Sequence, residues 1–379
     1  MKECGSTMLK KPDQCSGCPL YKDGIGYAPG EGPIDSNIVL IGEALGYNEA
    51  MAGRPFVGGT GKMLRSMLRQ ADILPESIYI TNTVKCQPPG NRTPTKEEIT
   101  YCTNRYLWGE LDVIKPNIII TAGATPFKAI CTDIKTGVTK ARGYIFPHNR
   151  GKILPIVHPS FVARGNPEFW SITVVDLIKA KREAASREVS EYKERFIINP
   201  NIHDVRRITK HILDTGCRYS FDIETIGEGD SLNVMCIGFA WSDSDAICIP
   251  LLKRGGYEYW NGPEEIEVVG LIAELLDSPN IKITQNGFTF DLPVLMDLGF
   301  KVRPPVEDTL IKHHVVATEL PHSLEFLTSI YTPFHHYKGV RVTIWADDTE
   351  LREYNCRDCI ATYIANDGIE EEMKELSLI

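Results

Sequence analysis

Two groups of residues in this sequence carry chemistry that an ordinary protein surface does not need. In Phe221-Asp222-Ile223-Glu224-Thr225 the two acids fall two positions apart, so on a strand both side chains leave the same face. Carboxylates held that close repel each other unless a cation lies between them. Matching groups occur further on: Asp291 closes the run QNGFTFD, and EYNCRDCIATY sets Tyr354 and Asp358 four apart, on one face of a helix. Four carboxylates and a tyrosine suit two-metal phosphodiester hydrolysis, in which two Mg2+ or Mn2+ ions activate water and stabilise the departing oxygen.

The second group is thiols. Of 11 cysteines, Cys15 and Cys18 form a C-x2-C pair, and Cys86 and Cys102 follow in the same half, Cys86 only four positions beyond Asn82. Four thiolates could hold zinc or an iron-sulfur cluster, and spacing alone does not separate the two. Cys356-x2-Cys359 could be half of a zinc site, with Cys15 and Cys18 or with His313-His314 and His335-His336, but that leaves Tyr354 without a purpose. Cys4, Cys131, Cys217, Cys236 and Cys248 read as packed thiols.

The elements that must position these groups follow from hydrophobic pattern. Short β-branched runs at 37–41, 77–81, 117–121 and 152–157 alternate with helical patterns at 61–71, 95–114 and 124–130. Such alternation predicts βαβ units around a mainly parallel sheet. Each strand runs into polar or glycine-rich sequence: Gly42-Glu43-Ala44-Leu45-Gly46, then Asn82, then Gly123, then His158-Pro159-Ser160. The carboxyl ends of parallel strands share one edge, where ligands bind, so these loops and GRPFVGGTG (53–61) converge on one crevice for a polar heterocycle. Residues 179–196 are charged and read as a helical connector, with the domain boundary near 195. Beyond it, strands at 219–223, 233–241 and 246–250 predict an antiparallel meander. A helix at 264–276, a strand at 281–284 and mostly helix from 292 complete a mixed sheet with helices. The fold class is therefore α/β in two domains, 1–195 and 196–379.

Composition bounds the function. The 379 residues carry a net charge of −9 with 42% hydrophobic residues, which excludes collagen-like, coiled-coil and disordered classes. Residues 1–200 hold 26 basic and 20 acidic side chains, whereas 201–379 hold 15 and 30. A basic half can hold DNA, and an acidic half can hold metal ions that face phosphate. The sequence shows neither a secretory leader nor a run of about 18 apolar residues, so no membrane partner and a cytoplasmic location are expected.

Several motifs together resemble a known family. CSGCPLYKDGIGYAPGEGP, IVLIGEALGYNEAMAGRPFVGGTGKML, YITNTVKCQPPGNRTPTKEEITYC and PIVHPSFVAR are similar to a family 4 uracil-DNA glycosylase in order and spacing. The resemblance implies a structural 4Fe-4S cluster on Cys15, Cys18, Cys86 and Cys102. It also implies that Phe56 stacks on a flipped-out uracil, Asn82 bonds its polar edge and Glu49 refuses a thymine methyl. Gly42, Ser160 and Arg164 join this substrate-binding set, with Arg164 in a segment, 161–164, that wedges the duplex. His158 would face the carbonyl oxygen of the departing base, with Asn91 and Glu43 completing the catalytic candidates and Asn91 helping to place the attacking water. Leu45 and Ala50 stand where the family usually has proline and an acidic residue.

The second half resembles the tyrosine-bearing DEDD exonucleases, ribonuclease H-like in fold, and the proofreading domain of family A DNA polymerases. The resemblance implies metal ligation by Asp222, Glu224, Asp291 and Asp358, and water orientation by Tyr354. The two halves in this order resemble the amino-terminal region of certain bacteriophage family A polymerases. The expected partners are single-stranded or uracil-bearing duplex DNA with 3' ends, and a polymerase domain in cis or in trans, in the host cytoplasm if phage-encoded. The alternative reading is a non-catalytic uracil-sensing DNA-binding module attached to an active exonuclease.

Overall fold

The computed structural model describes residues 8–189, 192–227, 229, 232–337 and 348–378. Cys4 lies outside them. The chain divides into two compact units, Met1–Ser190 and Glu191–Ile379.

In the first unit, strands β1 (Ile38–Gly42), β2 (Tyr79–Asn82), β3 (Ile118–Ala122) and β4 (Lys152–Ile156) form one parallel sheet in the order β2-β1-β3-β4. Its helices are α1 (Leu20–Asp23), α2 (Tyr47–Ala52), α3 (Gly59–Gln70), α4 (Lys96–Cys102), α5 (Trp108–Ile114), α6 (Ala124–Ile130), α7 (Val138–Ala141), α8 (Pro159–Ala163) and α9 (Phe169–Glu183). All four strands are buried along their whole length, as continuous apolar runs are when helices cover both faces of a parallel sheet. Alternation along each strand sorts the side chains. Leu40, Ile118 and Ile120 meet Leu64 and Met67 of α3 and Leu177 of α9. Val39, Ile41 and Ile119 meet Leu111 of α5 and Phe127 of α6. The single helix expected over 95–114 is α4 and α5 joined by a widened π turn, Thr103–Leu107, that begins directly after Cys102. Its start is fixed by a capping box in which Thr95 and Glu98 each bond the other's backbone N–H.

Of the helical connector expected over 179–196, only 179–183 are helical among the described residues, as the end of α9, and Arg195–Ile197 is instead strand β5, paired with the second sheet; residues 190 and 191 lie outside the described residues. The charged residues there do not set the structure. Phe196 and Ile198 turn toward an apolar cluster, and Arg195 pairs with Asp245, so tertiary contacts override local helix propensity.

The second unit is built on β6 (Tyr219–Ile226), β7 (Asn233–Ala240), β8 (Asp245–Pro250), β9 (Leu252–Lys253), β10 (Tyr257–Glu258), β11 (Lys282–Thr284) and β12 (Val306–Asp308). Its helices are α10 (Ile202–Thr215), α11 (Gly262–Leu276), α12 (Asp291–Asp297), α13 (Thr309–Val316), α14 (Leu324–Tyr331) and α15 (Asp348–Glu375). Six strands form a mixed sheet in the order β12-β11-β6-β7-β8-β5, and β6-β7-β8 is the expected antiparallel meander. Strand β12, in a stretch read as helical, was missed because three residues are too few for a periodic signal.

The two faces of this sheet explain where the acids go. Phe221 and Ile223 point to the cluster formed with Ile208 and Ile212 of α10 and Val268 and Ile272 of α11. Asp222 and Glu224 must then point to the opposite face, which α15 covers through Cys356, Cys359 and Ile360.

Candidate functional sites

In the first unit, the carboxyl edge of the sheet forms the floor of a cavity of about 660 Å3 lined by Glu43, Glu49, Phe56, Asn82, Asn91, His158, Ser160 and Arg164. The register places Gly42 directly beside Asn82. A Cβ on Gly42 would come within 2.3 Å of Asn82 Oδ1 and 2.5 Å of Phe56 Cζ, so glycine is what lets these two side chains approach each other. Phe56 has a φ of 52°, in the left-handed region, and a Cβ on Gly61 would lie 2.1 Å from its carbonyl oxygen. The strained turn and its glycine neighbour aim the ring at the cavity, where its centroid lies 6.2 Å from that of His158.

Glu49 is buried and accepts the Gly58 N–H at 2.7 Å. Glu43 accepts from Thr125 Oγ1 at 2.5 Å, which ties the first loop to the start of α6. Asn91 also has a positive φ, and its Oδ1 accepts from Gln87 at 2.6 Å. Of the expected wedge segment, Phe161 is tied edge-on to Phe169 at 5.1 Å and Val162 is buried, which leaves Arg164 exposed at the rim.

His158 caps α8. Its Nδ1 accepts the Ser160 N–H at 3.1 Å and lies 2.8 Å from Ser160 Oγ. Burial, reinforced by the Arg164 charge and opposed by Glu49, pushes its pKa down to about 4. The ring is therefore neutral at ordinary pH. With Nδ1 committed as an acceptor, the proton sits on Nε2. The same histidine that caps α8 also lines the cavity.

The four amino-terminal thiols converge. Cys15, Cys18, Cys86 and Cys102 line one small cavity of about 20 Å3 with Lys11, Tyr27 and Tyr106, and none is in a disulfide. Tyr106 OH lies 3.0 Å from Cys15 Sγ, and the Lys85 N–H points at Cys102 Sγ at 3.3 Å. Burial pushes the Cys86 thiol up to about 12 and Cys102 to about 11, with the neighbouring sulfurs adding to the rise. Such thiols become thiolates when a metal replaces the proton. Among the described residues, the one set of three or more His, Cys, Asp or Glu groups with ligand atoms all within 4.8 Å of one another is Asp222, Glu224 and Asp358. Four sulfur donors around one small cavity are a set that an iron-sulfur cluster or a zinc ion takes.

Of the four carboxylates expected to share a site, Asp222, Glu224 and Asp358 form the set within 4.8 Å, and Asp291 is not in it. Asp291 is buried at the start of α12, where its Oδ1 accepts the N–H of Ile223, the residue between the two strand acids. Burial raises its pKa to about 6, against the pull of that N–H and with a further push from Asp308. Tyr354 is half-buried on α15, its ring 6.0 Å from that of Tyr337. All the donors are hard oxygens, the set that Mg2+ or Mn2+ takes. Cys356 and Cys359 instead face the sheet among apolar side chains with Cys236 and Cys248, as packed thiols.

A family model described as the uracil DNA glycosylase superfamily matches residues 29–178. A type-4 uracil-DNA glycosylase of Thermotoga maritima is 39% identical over 183 residues, covering 48% of this chain and 93% of that protein. Through its amino-terminal half, the chain belongs to the type-4 uracil-DNA glycosylase family. A type-4 uracil-DNA glycosylase of Archaeoglobus fulgidus is also 39% identical, over 39% of this chain and 77% of that protein. A DNA polymerase of Bacillus phage SP01 is 30% identical over 310 residues, 75% of this chain, and the chain spans a third of that polymerase. Among solved structures, the Aedes aegypti Nibbler EXO domain has a TM-score of 0.38 at 14% identity over 50% of this chain and 94% of that one.

Within the glycosylase half, the two departures from the usual motif are neighbours. Leu45 and Ala50 are buried together against Ala28, so leucine fills a small apolar contact where an acid at position 50 would be buried. In the other half, sequence reasoning missed three supporting residues. Asn355 donates to Asp222 Oδ2 at 2.9 Å, and Tyr337 donates to Asp358 Oδ1 at 2.8 Å. Asp308, at the end of β12, accepts the Asn286 N–H at 3.0 Å and so clamps the loop that carries Asp291. Asn355 was the most legible of these, sitting between Tyr354 and Asp358; the other two come from a strand end and a loop without a motif.

Proposed function

We propose that the first unit excises uracil from DNA and the second trims 3' ends by two-metal hydrolysis, as the amino-terminal part or a split piece of a phage-type DNA polymerase. The observation that carries the first activity is the neutral His158, its Nε2–H available to the cavity beside Phe56 and Asn82.

A target base in duplex DNA is unreachable until the nucleotide swings out of the stack. Phe56 then offers its face to the extruded ring, and Asn82 supplies both a donor and an acceptor for the uracil edge. Glu49 occupies the space that a thymine methyl would need. As the glycosidic bond breaks, negative charge builds on the base, and His158 Nε2–H donates to its carbonyl oxygen. Glu43, held by Thr125, and Asn91 flank the path of water to the sugar. Gly42 and Ser160 shape the floor, and Arg164 meets the DNA backbone at the rim.

Cys15, Cys18, Cys86 and Cys102 would hold a 4Fe-4S cluster, whose contribution is structural. It would join the amino-terminal segment to the loop after Asn82, which Thr83 already fastens through its Oγ1 to Gly42 O at 2.9 Å. Asp222, Glu224, Asp291 and Asp358 would hold two Mg2+ or Mn2+ ions, which supply water activation and charge neutralisation at phosphate. Asn355 and Tyr337 orient two of those carboxylates, and Tyr354 orients the attacking water. DNA is the shared partner, with a family A polymerase domain in cis or in trans. Free thiols and a cluster suit a reducing compartment, the cytoplasm.

The test is an oligonucleotide carrying a single uracil, scored for an alkali-labile abasic site. Cleavage at uracil and none at thymine in the same position is the expected result. No cleavage with any uracil substrate would leave the first unit as a binding module.

Two further outcomes follow from the geometry. Gly42→Ala forces Phe56 and Asn82 apart and is expected to slow uracil release about 100-fold, the effect of an ångström-scale misplacement, in single-turnover kinetics. The pH dependence has a definite sign. Folded His158 takes up its proton only near pH 4, whereas an unfolded histidine does so near 6.5. Between these values the unfolded chain binds more protons, so the first unit loses stability as pH falls through that window. Thermal unfolding should show that slope, diminished in His158→Asn, and the uracil-release rate should show no inflection near 6.5 from this residue.

A further inference from the structure

Lys11 is a residue that neither catalytic set absorbs, and its surroundings are specific. It lies four positions before Cys15. Its ammonium donates to three main-chain carbonyls, Leu20 O at 2.6 Å, Tyr21 O at 2.7 Å and Gly24 O at 2.7 Å. An ammonium has three N–H groups, so its donor capacity is fully used. Helix α1, which supplies two of these carbonyls, is a single turn that starts two residues after Cys18. The lysine therefore closes residues 11–24 into a ring around the C-x2-C pair.

That ring touches the other thiols. A Cβ on Gly24 would lie 3.1 Å from Cys86 Sγ, and Ile25 and Gln87 exchange two backbone hydrogen bonds of 2.9 Å. Lys11 itself lines the cavity into which all four thiols face. Four thiolates around a 4Fe-4S core in its usual oxidised state leave a net negative charge in a partly buried site. A fixed cation nearby is the natural counterweight.

Resting on the iron-sulfur reading above, we propose that Lys11 is a positioning residue for the cluster: it locks the cysteine loop through three carbonyls and offsets the charge of the four thiolates. An exposed lysine that merely capped a helix turn would do the first and not the second. Arginine keeps the charge and can reach carbonyls, glutamine keeps donors without charge, and methionine keeps neither.

The experiment uses the full chain as wild type and as Lys11→Arg, Lys11→Gln and Lys11→Met. It measures iron and sulfide per chain, the rate at which visible absorbance bleaches in chelator, and the midpoint potential of the cluster couple. The expected result is about 10-fold faster bleaching in Lys11→Met and Lys11→Gln, with potentials more negative than wild type, and both properties near wild type in Lys11→Arg. Variants that bleach at the wild-type rate would overturn the proposal. Faster bleaching with unchanged potentials would also overturn it, leaving a lysine that only caps a turn. Wild-type protein without iron and sulfide would overturn the cluster reading itself, and this proposal with it.

Discussion

Replacing Asp222 and Glu224 together by alanine is expected to abolish 3'-end trimming, with a loss of about 1,000-fold or more, while uracil release continues at the wild-type rate. Both side chains leave one face of β6 toward α15, where Asp358 completes a set of oxygens within 4.8 Å. Removing two of three converging carboxylates removes most of the negative charge that can retain a divalent ion. Losing several kcal/mol of metal-derived stabilisation corresponds to that rate factor. The half-buried positions tolerate alanine better than core sites do, although Asn355 loses the acceptor it bonds at 2.9 Å. Uracil release by the same preparation serves as the folding control for the first unit, and circular dichroism serves for the second. Loss of both activities in a folded variant would contradict separate sites.

The mirror experiment is His158→Ala, for which uracil release should fall about 100- to 1,000-fold with trimming unchanged. That range is what one well-placed donor to a developing anion contributes. On the proposed role of a neutral donor, His158→Gln, which keeps an N–H, should recover part of the loss. A positively charged substitute is not what the site is built for: burial and Arg164 both push the imidazole toward its neutral form. A His158→Ala variant as fast as wild type would remove this residue from the chemistry and favour a uracil-binding module.

The parts of this design that could be read from sequence are those with a local physical signature. The strands of the parallel sheet stand out as β-branched runs because both faces are covered, and their polar ends mark the ligand edge. The pair Asp222 and Glu224 is visible through the two-residue period of a strand, and Tyr354 with Asp358 through the helix turn. What was illegible depends on contacts between distant segments. Residues 179–196 look helical in charge pattern, yet Phe196 joins a strand because an apolar cluster lies beside it. Asp308 gains its position only when β12 docks beside β11, and Tyr337 only when its hydroxyl meets Asp358. Leu45 and Ala50 look like two separate departures until the fold places them side by side with Ala28.

The most direct test of two independent active sites in one chain is a single time course on a 3'-labelled oligonucleotide with one internal uracil, first in EDTA and then after excess Mg2+. Abasic sites are expected to accumulate in EDTA with the 3' label intact, and the label to be released as mononucleotide only once Mg2+ is added. Uracil release that needs Mg2+, or trimming that proceeds in EDTA, would contradict it.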